Sequence, residues 1–241
     1  MKAVIVSDYP EDIVPILEQY EVEIVKKGIP DIVVAYGGDG SLLVAEREFK
    51  GIPKFPIRDT RTSPLCKKHS HDNLVKDFLS GLLQKSNLMK LSASFRGKEI
   101  LALNDIFIHN YNRVTAIRYQ ISIDGEIYSK EAASDSFGIA TPHGSTAYFK
   151  SITGTIFRVG IGIAFSNSRE REDHIVVSEN SKICIKILRG PAMMVADNSS
   201  DVTSVDSGDE ITVCKSPKEA TVYGLKEFMC TDCRNLRHKR V

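Results

Sequence analysis

The stretch DIVVAYGGDGSLLVAE, residues 31–46, joins a continuous apolar run to a helix-forming run through three glycines and one acid. Residues 31–36 have the unbroken apolar character of a strand buried on both faces of a parallel sheet. Gly37, Gly38 and Gly40 then interrupt it. Each gives the unfolded chain more freedom to lose than Ala would, so close backbone approach is needed here. Ser41 is placed to cap a helix through LLVAEREF. A strand, a glycine loop and a helix N-terminus together suit a phosphate, because backbone N–H groups and the helix dipole face it. The loop lacks the Lys-Ser/Thr ending of a P-loop and the G-x-G-x-x-G spacing of a dinucleotide fingerprint. Asp39 would repel a bound phosphate, but it suits a hydroxyl that attacks one. With an unperturbed pKa of about 3.9 it is ionised at neutral pH and can accept that proton. A tight turn with a helix-capping Asp accounts for the same four residues.

Outward from the loop, strands and helices alternate. KAVIVS (2–7), EVEIV (21–25) and KFPIRD (54–59) read as strands, and EDIVPILEQY (11–20) and HDNLVKDFLSGLLQK (71–85) as helices, the last strongly amphipathic. This alternation predicts an open α/β (Rossmann-like) domain over residues 1–86. From 87 to 223 short strand patterns follow one another, separated by turn signals such as Arg96-Gly97, Asp124-Gly125 and Ser207-Gly208-Asp209. They predict a larger β-sandwich-type domain. The fold class expected is thus α/β plus all-β. The tail CTDCRNLRHKRV reads as basic and mobile.

The chain has 241 residues, 42% hydrophobic and 26% charged, as expected of a globular protein with a sizeable core. Lys and Arg total 32 against 31 Asp and Glu, a balance that points away from nucleic acid or a membrane surface as a partner. No apolar run has the length of a membrane span. The N-terminal run is too short for a signal peptide, so a cytoplasmic location is expected. Five scattered cysteines, an odd number, argue against a disulfide framework.

NDIFIHN (104–110) and TPHGSTAYFKS (141–151) complete the pattern. With GGDG, in this order, they resemble the NAD kinase family, over roughly residues 31–215. The resemblance implies an N-terminal α/β domain and a larger β-rich one, with the chain end (224–241) packing back on the first. It implies transfer of a terminal phosphoryl group, from ATP or another donor, to the 2′-hydroxyl of the adenosine ribose of NAD, giving NADP. Asp39 matches the catalytic base, and Gly37, Gly38 and Gly40 would approach the transferring phosphate. Asn104, Asp105, Asp135, Thr146, Ala147, Tyr148 and Ser151 match NAD-binding positions, and His143 stands where Thr or Ser is usual. Mg²⁺ and a homodimer or homotetramer are implied as well. Read without the family, Asn104-Asp105 is a turn before a strand, Thr141-Pro142 a helix start, and Tyr148 a core residue. Two other functions remain open: a non-catalytic NAD(H)- or NADP(H)-binding sensor, and a GGDG-type kinase acting on a lipid or sugar.

The chain departs from the family pattern in places. IPKFPIRDTRTSPLC (52–66) replaces a glycine-bearing loop, leaving Arg58 and Arg61 either to grip phosphate or to form a solvated basic loop. Thr153 replaces a glycine. Asn198, after Asp197, stands where Gly is usual and would tolerate a left-handed turn. Cys230, Cys233 and His238 form half of a zinc pattern. With no second pair of matching spacing evident, a metal would require Cys66, His69 or His71 to approach, or a second subunit. Reactive thiols on a mobile tail, with no metal, are the expectation.

Overall fold

The apolar runs of the N-terminal region pair as strands of one sheet in the computed structural model, which describes residues 1–26, 28–112, 114–170 and 173–238. The strands β1 (Lys2–Val6), β2 (Glu23–Ile24), β3 (Ile32–Gly37) and β4 (Lys54–Arg58) run parallel. β5 (Lys85–Leu88) and, from far along the chain, β18 (Ala220–Tyr223) complete the order β2-β1-β3-β4-β18-β5. β18 is parallel to β4 and antiparallel to β5. Every residue of β4 is buried, as are the first five of β3. This explains why neither strand alternates in hydropathy. The helices α1 (Val14–Gln19), α2 (Asp39–Glu48) and α3 (His71–Leu79) belong to the same unit, with Leu17, Val34, Tyr36, Phe55, Leu74 and Val75 in its core.

Local capping changes several expected boundaries. The helix expected through residue 85 stops at Leu79, because Gly81 adopts φ +69°. The Gly81 N–H donates to Phe78 O and the Leu82 N–H to Asp77 O, the paired bonds of a Schellman end. Leu82 is left exposed while Leu83 turns back into the core. The helix expected over 11–20 is a 3₁₀ turn, Pro10–Asp12, followed by α1, with Pro15 in its first turn where a missing N–H costs little. The tail is helical: α5 (Leu225–Phe228) and α6 (Thr231–His238) follow β18.

Residues 89–219 form the second unit, and residues 1–88 with those from 220 onward the first. The second unit holds β6 (Leu91–Phe95), β7 (Lys98–Ala102), β8 (Asp105–Asn110), β9 (Ile117–Ile123), β10 (Glu126–Ser134) and β11 (Ser136–Ala140). After α4 (Tyr148–Thr153) come β12 (Ile161–Ser166), β13 (His174–Val177), β14 (Ile183–Arg189), β15 (Ala192–Ala196), β16 (Thr203–Val205) and β17 (Glu210–Lys215). They build two antiparallel six-stranded sheets, β10-β9-β14-β17-β6-β7 and β13-β12-β11-β8-β15-β16. Their inner faces share one core, in which Tyr119 of one sheet stacks on Phe137 of the other at 3.9 Å between ring centres. This is the β-sandwich-type region, and the α/β plus all-β class holds.

Candidate active site

In the first unit the glycine loop closes β3 and opens α2. Gly37 has φ +151°, and a Cβ there would lie 2.2 Å from Ser41 Oγ, so the position requires glycine. Gly38 is the N-cap and Asp39 the first residue of α2; the helix therefore starts two residues before Ser41, the cap expected from the sequence. Gly40 follows in the first turn. Asp39 presents its carboxylate outward, its side chain 60% exposed, at the positive end of a ten-residue helix.

One oxygen of Asp39 is held. Arg58 pairs in register with Gly37 across β3 and β4, which sets its side chain beside the loop. Its Nη2 donates to Asp39 Oδ1 at 2.9 Å, and its Nε donates to the Phe228 carbonyl at 3.2 Å. The guanidinium lies 3.7 Å from the centre of the Phe228 ring. Arg58 is only 6% exposed, so it is no part of a solvated basic loop, and its fork is engaged by Asp39 and Phe228. Arg61 pairs with Glu11 and Asp12 and covers the Tyr9 ring. Below the loop, Lys54 and Glu46 form a buried ion pair tying β4 to α2.

In the second unit Asn104 and Asp105 sit where the chain enters β8, and a residue distant in sequence fixes them. The Asp197 carboxylate accepts from the backbone N–H groups of Leu103 (2.8 Å), Asn104 (2.7 Å) and Asp105 (3.2 Å). The left-handed residue of this turn is Asp197 itself, φ +51°, and not Asn198. Thr141 Oγ1 donates to the Leu103 carbonyl at 2.7 Å and accepts from the Gly144 N–H at 3.0 Å. Gly144 lies so close that a Cβ would come within 2.0 Å of Asn104 O. With its backbone so constrained, Asn104 keeps its buried Oδ1 without a hydrogen-bond partner among the described residues. A buried amide oxygen left unpaired is costly unless a ligand supplies the donor. Burial, and secondarily the charge of Asp197, pushes the Asp105 carboxyl up to about 7.

The segment 141–153 is a capped turn rather than one helix. Thr141 caps it as expected, but the chain makes a 3₁₀ turn over Gly144–Thr146 and only then α4. The carbonyl of His143 accepts from Thr146 Oγ1 at 3.1 Å, and the Ala147 N–H donates to Gly144 O. Thr153 ends α4 before Gly154 at φ +69°. Tyr148 is not a core residue. It is 42% exposed and its ring rests on Phe107 at 4.5 Å, with His109 beside it. Burial lowers the pKa of His109 and favours its neutral form. Tyr148 and Ser151 line an open cleft of about 450 Å³ with Ile152, Phe165, Asn167 and Asp173. Asn167 donates to Asp135 Oδ2 at 2.7 Å, so Asp135 adjoins that cleft.

The second unit thus brings the sequence-predicted residues together in two groups: Asn104 and Asp105 around Gly144, and Asp135, Tyr148 and Ser151 around the cleft. Arg58 and Asp197 are the polar residues whose roles the sequence hid. Neither shares a local pattern with the group it holds.

Residues 103–225 match the family model described as the ATP-NAD kinase C-terminal domain. An NAD kinase of Psychrobacter arcticus is 30% identical over the whole chain, covering 81% of that protein. An NAD kinase of Teredinibacter turnerae is 31% identical over 78% of this chain and 69% of its own. The fold is that of the crystal structure of an NAD kinase from Archaeoglobus fulgidus in complex with ATP, at a TM-score of 0.78 and 24% identity over 98% of this chain and 99% of that one.

Proposed function

Since the chain belongs to the NAD kinase family, we propose that it transfers the terminal phosphoryl group of ATP to the 2′-hydroxyl of the adenosine ribose of NAD, yielding NADP. The observation that carries this reading is the exposed Asp39 carboxylate at the first turn of α2, one oxygen held by Arg58 and the other open to a substrate hydroxyl. Asp39 accepts the 2′-hydroxyl proton as the oxygen attacks phosphorus. The N–H groups of the Gly37–Gly40 loop and the α2 dipole offset charge on the transferring group. Arg58 fixes the carboxylate so that little alignment is lost at the moment of reaction.

Asn104 and Asp105 bind NAD through its hydroxyl and amine donors. The unpaired Asn104 Oδ1 supports that role, as does the desolvated Asp105 carboxyl. Tyr148, against Phe107, offers a flat surface for a ring, Ser151 lines the cleft and Asp135 adjoins it through Asn167; His143, Thr146 and Ala147, in the turn before α4, are the further NAD-binding positions of this reading. Mg²⁺ belongs to the same reading. Among the described residues, the single cluster of three or more candidate metal ligands is built of Cys and His, donors ill suited to Mg²⁺. A hard divalent ion of this kind would be held by the donor phosphates with one or two carboxylates, and would neutralise charge on the transferring group. No helix among the described residues is long and apolar enough to cross a membrane. A cytoplasmic homo-oligomer is part of the proposal.

The test incubates the protein with NAD, ATP and Mg²⁺ and reads NADP with a dehydrogenase specific for it. Product from wild type is the expected result. Tight NAD binding without product, with ATP or with polyphosphate as donor, would instead favour a dinucleotide sensor.

A further inference from the structure

Four ligand-type side chains that the proposed reaction does not use meet in the first unit. Cys66 precedes and His69 ends the 3₁₀ turn Lys67–His69 before α3, and Cys230 and Cys233 lie at the junction of α5 and α6. Their donor atoms all lie within 4.8 Å of one another. His69 Nδ1 is 3.5 Å from Cys66 Sγ and 3.5 Å from Cys233 Sγ. Tetrahedral zinc, with Zn–S of about 2.3 Å and Zn–N of about 2.0 Å, sets its S···N edges at about 3.5 Å and its S···S edges at about 3.8 Å. The set is therefore already close to the size of a zinc coordination shell.

The sequence contains the paired spacing after all. Cys66-Lys67-Lys68-His69 is a C-x₂-H pair matching the C-x₂-C pair Cys230-Thr231-Asp232-Cys233. Only the second is conspicuous, because one member of the first is an imidazole and the pairs lie more than a hundred and fifty residues apart. Thiols are weak hydrogen-bonding groups and gain little from one another. A common ion is what gives three of them and an imidazole a reason to converge. The Cys66 N–H also donates to Cys233 Sγ at 3.3 Å, the kind of backbone contact that orients a ligating thiolate. His71 is engaged elsewhere, at the Arg58 carbonyl, and the His238 side chain lies outside the described residues.

We propose that Cys66, His69, Cys230 and Cys233 form a structural Cys₃His zinc site. Four protein ligands close the tetrahedron, leaving no position for a substrate, so the ion serves the fold rather than the chemistry. Its soft donors also distinguish it from any ion carried by phosphates. The site clips the C-terminal helices to the loop before α3. Phe228 lies two residues before Cys230 in that clipped segment, and its carbonyl and ring hold Arg58, which holds Asp39. Zinc thus anchors the segment on which the Arg58–Asp39 pair is built. The proposal does not depend on which substrate the enzyme takes.

The experiment measures metal in the full-length protein, expressed with zinc and kept reduced. About one zinc per chain is expected by elemental analysis. Co²⁺ exchanged into wild type is expected to give the ligand-field absorption of a tetrahedral thiolate site. Cys230→Ser and His69→Ala are expected to lower zinc content by at least about tenfold, while Cys214→Ser, in β17 of the other unit, retains it. Chelation is expected to lower Tm and expose thiols to a thiol reagent, and added zinc to reverse both. Reduced wild type that carries no zinc and gives no tetrahedral cobalt spectrum would overturn the proposal, whatever the variants do. So would full zinc retention in both ligand variants.

Discussion

Asp39 and Asp105 carry opposite consequences of their surroundings. Asp39 is exposed but its partner Arg58 is buried, so Asp39→Asn, whose amide oxygen can still accept from Arg58, is expected to fold with a modestly lower Tm. It removes the proton acceptor, and kcat for NADP formation is expected to fall by about 10²–10⁴-fold. A variant with near-wild-type turnover would remove Asp39 as the base. Asp105 is different, because burial raises it from 3.8 to about 7. Between those values the folded state holds a proton that the unfolded state has released. Stability from this group is therefore complete at low pH and declines as pH rises toward 7, by up to about 4 kcal/mol at about 1.4 kcal/mol per pH unit. Asp105→Asn is expected to raise Tm above wild type at pH 8 and to match it near pH 4. The ionised carboxylate is the better acceptor for ribose hydroxyls, so KM for NAD in wild type is expected to fall as pH rises through about 7 and to be higher and flatter in the variant. A lower Tm for the variant at pH 8 would contradict the burial argument.

The entry into β8 shows how an element is aimed. Three consecutive N–H groups, of Leu103, Asn104 and Asp105, converge on the carboxylate of Asp197, and Gly144 packs its bare Cα against Asn104 O. Asp197→Ala leaves partly buried donors unpaired and is expected to cost on the order of 3 kcal/mol. Asp197→Asn keeps an acceptor but loses the charge that contributes to raising Asp105, so the pH at which KM changes is expected to move down. Gly144→Ala must displace backbone rather than a flexible side chain. A loss of about 1–3 kcal/mol is expected, together with weaker NAD binding as Asn104 shifts. Urea unfolding and NAD titration of the same protein check both effects. Unchanged NAD affinity in a Gly144→Ala protein would mean that Asn104 does not bind the dinucleotide.

At the scale of the whole chain, the returning segment is structural. β18 lies inside the first sheet, between β4 and β5, so it is bonded on both sides. Removing residues from 220 onward splits that sheet and opens the Phe55, Phe78 and Tyr223 packing to water. Truncation after residue 219 is expected to leave the first unit unfolded, seen as insoluble protein or lost near-UV circular dichroism. Truncation after 229 keeps β18, α5 and the Phe228 contact with Arg58. It is expected to fold, with a lower Tm. A soluble, cooperatively folded 1–219 chain would show that β18 is dispensable.

What was readable from the sequence was what neighbouring residues decide together. The buried run 31–36, the glycines after it and the helix beyond form one local unit, and their order alone exposes the GGDG loop. The β-rich character of the region after residue 87 was legible for the same reason, since alternation and turn residues are short-range signals. Even there, glycine capping moved helix ends, as at Gly81. Pairings across the chain required the tertiary structure. Arg58 reaches Asp39 because β4 lies beside β3 in register; Asp197 reaches Asn104 because β15 lies beside β8. β18 enters a sheet begun two hundred residues earlier, and Cys66 and His69 meet Cys230 and Cys233 only because it does. Local pattern specifies an element, but strand order decides which distant side chains share a site, and no single window of sequence contains it.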